Sequence, residues 1–203
     1  MTSKAPRRIG IFGGSFDPVH NAHLALARVA LAELALAELR WVPVGAPWQK
    51  SRRITSAAHR EAMVRMAIAA EPRFVLDRSE LERDGPSYTL DTVRALQADE
   101  PSARWFLVIG QDQYAGFHTW HGWQELLARV TIAVADRPDA SPLADVQVRA
   151  VEHEAVHLPL MDVSSTEIRE RLRHGLAIAD LVPPDVARYI DQHHLYRVGP
   201  PGS

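Results

Sequence analysis

The sequence predicts an α/β fold: an open parallel sheet with helices packed on both faces. Three observations predict it. Short apolar runs alternate with segments rich in helix-forming residues along most of the chain. Trp105-Phe106-Leu107-Val108-Ile109 is an unbroken apolar run, as expected of a central strand covered on both sides. The first such run, Arg8 to Phe12, leads directly into Gly13-Gly14, so a buried strand ends in a tight turn.

The elements follow in order. Asn21 to Leu39 is rich in Ala, Leu and Glu and reads as a helix with Asn21 as its N-cap. Leu39 to Val44 is the second strand. Ser56 to Ala70 is a helix, Arg73 to Leu76 a strand, and Ser87 to Ala98 a helix. After the central strand, Trp123 to Arg129 is a short helix and Val130 to Ala135 a strand. Ala155 to Leu160 is a late strand. Ser164 to His174 is a helix stopped by Gly175, and Pro183-Pro184 opens a last helix ending near His194. In such a sheet, ligands sit beyond the carboxyl ends of the strands. Two segments fall there: Gly13 to His23 and Gly110 to Trp120.

With 203 residues the chain is long enough for one well-packed domain, expected over residues 1–198 with a disordered tail at 199–203. Asp136 to Val148 reads as an excursion within that domain. Lys and Arg total 23 and Asp and Glu total 25, a net charge of -2, which argues against nucleic acid as a partner. The absence of cysteine excludes disulfides, thiolate metal sites and a cysteine nucleophile. No apolar run approaches the roughly 20 residues of a membrane span. No signal-peptide pattern follows Met1, so a cytoplasmic enzyme with no membrane partner is expected. Oligomeric state is not legible.

The first chemical constellation runs Gly13-Gly14-Ser15-Phe16-Asp17-Pro18-Val19-His20-Asn21-Ala22-His23. Two glycines after a strand let backbone approach a ligand closely. His20 and His23 flank a helix start, where free N–H groups and positive potential suit a phosphate. Imidazoles there can donate hydrogen bonds as charge builds on phosphate oxygens. A glycine turn with two surface histidines explains a fragment of this string, but not the whole of it.

The string resembles the GGxFDPxHxGH signature of the bacterial nicotinate mononucleotide adenylyltransferases, within the HxGH nucleotidyltransferases. The usual glycine between the histidines is Ala22 here, a small change that an already helical backbone tolerates. The second constellation, Val163-Ser164-Ser165-Thr166-Glu167-Ile168-Arg169, has capping-box spacing from Ser164 to Glu167, with Ile168 and Leu172 on the core face. It also resembles the family's phosphate-holding [IV]SSTxIR motif, with Arg169 as the cation.

Three further segments resemble the family's elements for the second substrate. Gly85-Pro86-Ser87-Tyr88-Thr89 matches PSYT, which implies that Tyr88 and Thr89 lie near a nicotinate ring. Gly110-Gln111-Asp112 matches the G-x-D whose acid contacts a ribose. Trp120-His121 matches a tryptophan-led pair that stacks on the pyridine ring, although Trp123 competes with Trp120 for that place. Lys50, preceded by Gln49 where many relatives have histidine, and Arg137 are candidate phosphate contacts.

The resemblance implies a Rossmann-like fold of the nucleotidyltransferase α/β phosphodiesterase type. It implies that the adenylyl group of ATP passes to nicotinate mononucleotide, giving deamido-NAD and pyrophosphate in NAD biosynthesis. His20, His23 and Arg169 are the implied catalytic residues. Gly13, Gly14, Ser15, Phe16, Gly110, Asp112, Ser164, Ser165 and Thr166 join them in binding ATP. Asp17, Lys50, Tyr88, Thr89, Trp120, His121 and Arg137 are assigned to the mononucleotide. Mg²⁺ is expected to ride on the phosphates without a protein metal site. Two alternatives stay open: a sister transferase acting on a phosphopantetheine-type substrate, and a catalytically silent nucleotide-binding regulator.

Overall fold

A computed structural model describes residues 5–45, 54–136, 153–157, 161 and 163–197. Its strands are β1 (Arg8–Gly14), β2 (Glu38–Pro43), β3 (Phe74–Leu76), β4 (Arg104–Gly110), β5 (Thr131–Asp136) and β6 (His153–His157). They form one sheet in the order β3-β2-β1-β4-β5-β6, and every pair is parallel. The helices are α1 (Asn21–Glu33), α2 (Ala57–Ile68), α3 (Thr89–Asp99), α4 (Gln111–Ala115), α5 (Trp123–Arg129), α6 (Ser165–Arg173) and α7 (Pro184–Gln192).

The strand order explains where a ligand goes. Connections leave β1 toward β2 on one side and the chain returns to β4 on the other, so the order reverses between β1 and β4. A crevice opens at that reversal, beyond the carboxyl ends of both strands. Gly13-Gly14 ends β1 and Gly110 ends β4, so both suspected segments meet there.

Alternation along the strands covers both faces. Phe12, Phe106 and Val108 pack in one buried cluster with α1, α2, α6 and α7. Ile9, Ile11, Trp105, Leu107 and Ile109 pack in another with α3 and α5. The unbroken apolar run of β4 therefore serves two cores, which is why it carries no polar residue.

Most predicted elements stand where expected, with boundary differences. Helix α1 ends at Glu33 although Ala, Leu and Glu continue to Leu39. Ala35 turns the chain in a left-handed conformation (φ 47°), and the Leu36 N–H reaches back to the Leu31 carbonyl. The N-cap of α1 is His20, one residue before the expected Asn21; Asn21 instead donates its side-chain N–H to the Asp180 carbonyl. Helix α3 starts at Thr89, with Ser87 and Tyr88 still extended or turning. The strand expected over Ala155 to Leu160 is β6, shifted toward the N-terminus, and 158–160 lie outside the described residues. Helix α4 and a 3₁₀ turn at Phe117–Thr119 were not anticipated. Among the described residues, no helix is long and apolar enough to cross a membrane.

Candidate active site

The loop after β1 is shaped by burial. Phe16 sits in a left-handed conformation (φ 46°) and is almost fully buried. Its ring packs edge-on against Phe12 at 5.5 Å and against His23 at 5.1 Å. A side chain at Gly14 would come within 3.0 Å of that ring, so glycine leaves room for the aromatic floor. The Asp17–Pro18 peptide is cis.

Two imidazoles stand on this floor. His20, the N-cap of α1, stacks on His23 with centroids 3.6 Å apart. The His20 backbone N–H donates to His23 Nδ1 at 3.2 Å. His23 Nδ1 is thus an acceptor, and its proton, when the ring is neutral, lies on Nε2. His20 is 6 % exposed and its Nδ1 has no hydrogen-bond partner among the described residues. Burial lowers its pKa from 6.5 to about 4, so at neutral pH the ring is uncharged.

The second motif docks onto the first. Ser164 caps α6 by accepting the Glu167 N–H at 3.1 Å. Glu167 itself pairs with Arg171, so capping here runs through Ser164. Ile168 is fully buried, as its spacing predicted. Ser165 Oγ donates to the Pro18 carbonyl at 2.9 Å. Arg169, 8 % exposed, donates from Nη1 to the Asp17 carbonyl at 2.7 Å and from Nη2 to Thr166 Oγ1 at 3.0 Å. Segments far apart in sequence are thereby locked into one surface.

Two cavities open on that surface. The first is lined by His20, His23, Ser164, Ser165, Gly110 and Asp112, joined by Gly13, Gly14, Ser15 and Gln113. The second is lined by Tyr88, Thr89, Trp120, His121, Ser87 and Glu80, and again by Gly13, Gly14, Ser15 and Gln113. The glycine turn is therefore a common lip between them. The Tyr88 and His121 rings lie 4.5 Å apart with their planes tilted by 32°, giving this cavity an aromatic side. Trp120 lines the cavity, while Trp123 packs edge-on against buried Phe117 at 6.5 Å. Trp120 also packs on Phe117, at 5.2 Å, so the two tryptophans differ in that only Trp120 is among the residues lining this cavity.

Not every expected site residue lines a cavity. Asp17 is fully buried and lines neither; its Oδ1 accepts from the Tyr196 hydroxyl at 2.7 Å and its Oδ2 from the Thr55 N–H at 3.5 Å. Phe16, Thr166 and Arg169 stand behind the lining. Lys50 and Arg137 lie outside the described residues. Ala22 is buried in the first cavity's wall, on helical backbone that accommodates its methyl group.

Among the lining residues that the sequence does not point to are Gln113 and Glu80. Gln113 touches both cavities, and its Oε1 accepts the Gly110 N–H at 3.2 Å, holding the start of α4. Glu80, 7 % exposed, accepts from Thr92 Oγ1 at 2.8 Å. Burial raises its pKa, with Thr92 and Arg83 opposing. In sequence, Glu80 looks like an ordinary solvated loop acid.

Comparison with known proteins decides the family. The cytidylyltransferase-like family pattern matches residues 11–171. A protein of Methylibium petroleiphilum named "probable nicotinate-nucleotide adenylyltransferase" is 54% identical over 97% of this chain and 95% of its own length. A Bordetella petrii protein of the same name is 47% identical over 94% of this chain and 100% of its own.

The chain belongs to the nicotinate-nucleotide adenylyltransferase family.

Solved structures agree on the fold. Plasmodium falciparum nicotinic acid mononucleotide adenylyltransferase complexed with NaAD superposes with a TM-score of 0.77 at 22% identity, covering 94% of this chain and 97% of that one. The same enzyme complexed with APC gives 0.75 at 21% identity, with the same coverage. As a member of this adenylyltransferase family, the chain is a nucleotidyltransferase, and a silent regulator is no longer the reading that fits.

Proposed function

We propose that this chain joins the adenylyl group of ATP to nicotinate mononucleotide, releasing pyrophosphate, through the residues lining the two cavities. The observation that supports this most is the shared lip. A two-substrate transfer needs two adjoining pockets that meet where bonds change, and Gly13, Gly14 and Ser15 line both. ATP occupies the cavity of His20, His23, Ser164 and Ser165; the mononucleotide occupies that of Tyr88, Thr89, Trp120 and His121.

The chemistry is in-line displacement. The mononucleotide phosphate attacks the α-phosphorus of ATP, and the bond to the bridging oxygen of pyrophosphate breaks. No covalent enzyme intermediate is required, so catalysis is positioning and charge stabilisation. His23 Nε2–H donates to a phosphate oxygen, its tautomer held by the His20 N–H. The neutral His20 ring supplies a second donor from its Nε2 side. The N-terminus of α1 adds positive potential. Arg169 and Thr166 stand on the pyrophosphate side, with Ser164 and Ser165 at the start of α6. Asp112 sits in the ATP cavity for the ribose.

Among the described residues, no three His, Asp or Glu side chains gather to hold a metal ion. The donor set suits a cation carried on the nucleotide, with Asp112 as a carboxyl in the cavity lining. When bound, Mg²⁺ offsets the charge that builds on the leaving pyrophosphate.

The direct test incubates the chain with MgATP and nicotinate mononucleotide and measures pyrophosphate and dinucleotide together. Equal yields of both are expected. Pyrophosphate without dinucleotide, or neither product, overturns the reading.

A further inference from the structure

We propose that Tyr196, at the end of the chain, is a positioning residue for adenylyl transfer, acting through Asp17 to set the loop that carries His20 and meets Arg169. The inference rests on the transfer reading above and adds a residue to it. Neither Tyr196 nor Asp17 lines either of the two cavities described above, which suits a role exerted through the loop.

The loop from Ser15 to Pro18 has no regular structure of its own, so neighbours must impose its shape. The Ser15 carbonyl accepts from Arg60 Nη1 at 3.0 Å. The Asp17 carbonyl accepts from Arg169 Nη1 at 2.7 Å. The Pro18 carbonyl accepts from Ser165 Oγ at 2.9 Å. These bonds fix the backbone from α2 and α6. The Asp17 side chain is fixed separately, by the Tyr196 hydroxyl at 2.7 Å and the Thr55 N–H at 3.5 Å. Tyr196 is thus the one described side chain that reaches this buried carboxyl from the chain's last segment.

Backbone geometry points the same way. Tyr196 has φ 65° and Phe16 has φ 46°, both left-handed for residues that disfavour it. Such conformations persist only where the surroundings over-determine them, and they cluster where function needs a fixed geometry. The two meet across Asp17. The segment is anchored by the Leu195 N–H, which donates to the Ile190 carbonyl at the end of α7. Burial first, and the Asp17 carboxyl second, push the Tyr196 phenol up, so it remains the donor of this bond. Among the described residues, Arg60 and Arg169 are the cations facing the pair, and both donate to loop carbonyls.

The test compares wild type, Tyr196→Phe, Asp17→Asn and the double variant. Each single variant is expected to lower kcat between about tenfold and a hundredfold, the scale on which small misplacements act. Both KM values should move far less. The double variant should be no slower than the slower single one, because both break the same bond. Hydrogen exchange over residues 15–23 gives a readout independent of activity, and it should quicken in Tyr196→Phe. A Tyr196→Phe enzyme within about twofold of wild-type kcat, with unchanged exchange, overturns the proposal. So does a loss that merely follows the folded fraction in urea. If Asp17→Asn fails to fold, Tyr196→Phe decides alone. If wild type makes no dinucleotide, the transfer reading fails, and the exchange comparison still decides whether Tyr196 holds the loop.

Discussion

The His20 backbone N–H is bonded to His23 Nδ1 at 3.2 Å while the two rings stack 3.6 Å apart. One bond fixes the tautomer of His23 and the stack fixes its plane, so a donor is in place before substrate arrives. Preorganised donors are worth most where charge develops in the transition state. His20→Ala and His23→Ala are therefore each expected to cost about 2.7–4 kcal/mol of barrier while the protein still folds. Turnover measured at saturating ATP checks this, and near-normal rates in both variants would remove the pair from the mechanism.

The burial of His20 has a consequence for acid stability. Its folded pKa is about 4, against 6.5 for the exposed ring. Between those values the unfolded chain binds a proton here that the folded protein does not, so lowering the pH favours unfolding. The effect is absent above pH 6.5 and complete near pH 4, and it amounts to roughly 3 kcal/mol. Urea unfolding of the free protein should show wild type losing stability across that window more steeply than His20→Gln. Identical slopes would mean that the ring takes its proton without unfolding.

Much of this was legible in sequence because the signals are local. The glycine turn, the strand runs and the two motifs each declare themselves within about a dozen residues. What stayed hidden depends on distant contacts. Ala35 ends α1 by a left-handed turn that no glycine announces. Glu80 is a buried carboxyl bonded to Thr92 and Ser87, which lie 12 and 7 positions on and give no local signal. Asp17, inside the most recognisable motif, was assigned to substrate, yet its side chain is taken up by Tyr196, 179 positions away. A motif tells which residues matter more readily than which way they face.

Arg169→Ala should raise the KM for ATP more than that for the mononucleotide, since Arg169 is proposed to serve the pyrophosphate side. The structure adds a second effect. Removing the guanidinium leaves the buried Asp17 carbonyl without its 2.7 Å donor, which costs about 1–3 kcal/mol of stability. Arg169→Lys cannot serve Asp17 and Thr166 together and should fall between the two. Kinetics with both substrates varied, beside melting curves, separate these effects; an unchanged melting point in Arg169→Ala would contradict the structural part.

Glu80 should govern the mononucleotide side alone. It ties the turn before α3 to Thr92 and lines the second cavity. Gly45 packs against the same turn, and a side chain there would stand 1.9 Å from the Glu80 carbonyl oxygen. Glu80→Ala and Gly45→Ala are each expected to raise the KM for nicotinate mononucleotide while leaving that for ATP near wild type. Gly45→Ala should also lose about 1–3 kcal/mol of stability, as overpacking does. Glu80→Gln keeps an oxygen for Thr92 and should rescue most of the loss. Equal changes in both KM values would mean that the turn supports the whole site.

Substrate choice is the sharpest expectation. Nicotinate and nicotinamide mononucleotides differ by a carboxylate in place of a carboxamide. A carboxylate only accepts hydrogen bonds, so it suits a wall of backbone N–H groups. Helix α3 begins at Thr89 beside the Tyr88 and His121 rings, and its N-cap residue Tyr88 makes no side-chain capping bond. The Asp91 and Thr92 N–H groups already donate to the Tyr88 carbonyl, so what the helix offers an incoming anion is its positive end at Thr89, which lines the cavity. The carboxyl in the cavity lining, Glu80, has its pKa raised by burial, which moves it toward the neutral form and weakens its repulsion of an acidic ring. An amide would turn its NH₂ toward donors and leave them unpaired, at about 1–3 kcal/mol each. Nicotinate mononucleotide should thus be preferred by roughly tenfold to a hundredfold in kcat/KM. The ratio of catalytic efficiencies for the two mononucleotides measures it. A value near unity, or one favouring the amide, would remove the α3 N-terminus as the selecting element while leaving adenylyl transfer itself intact.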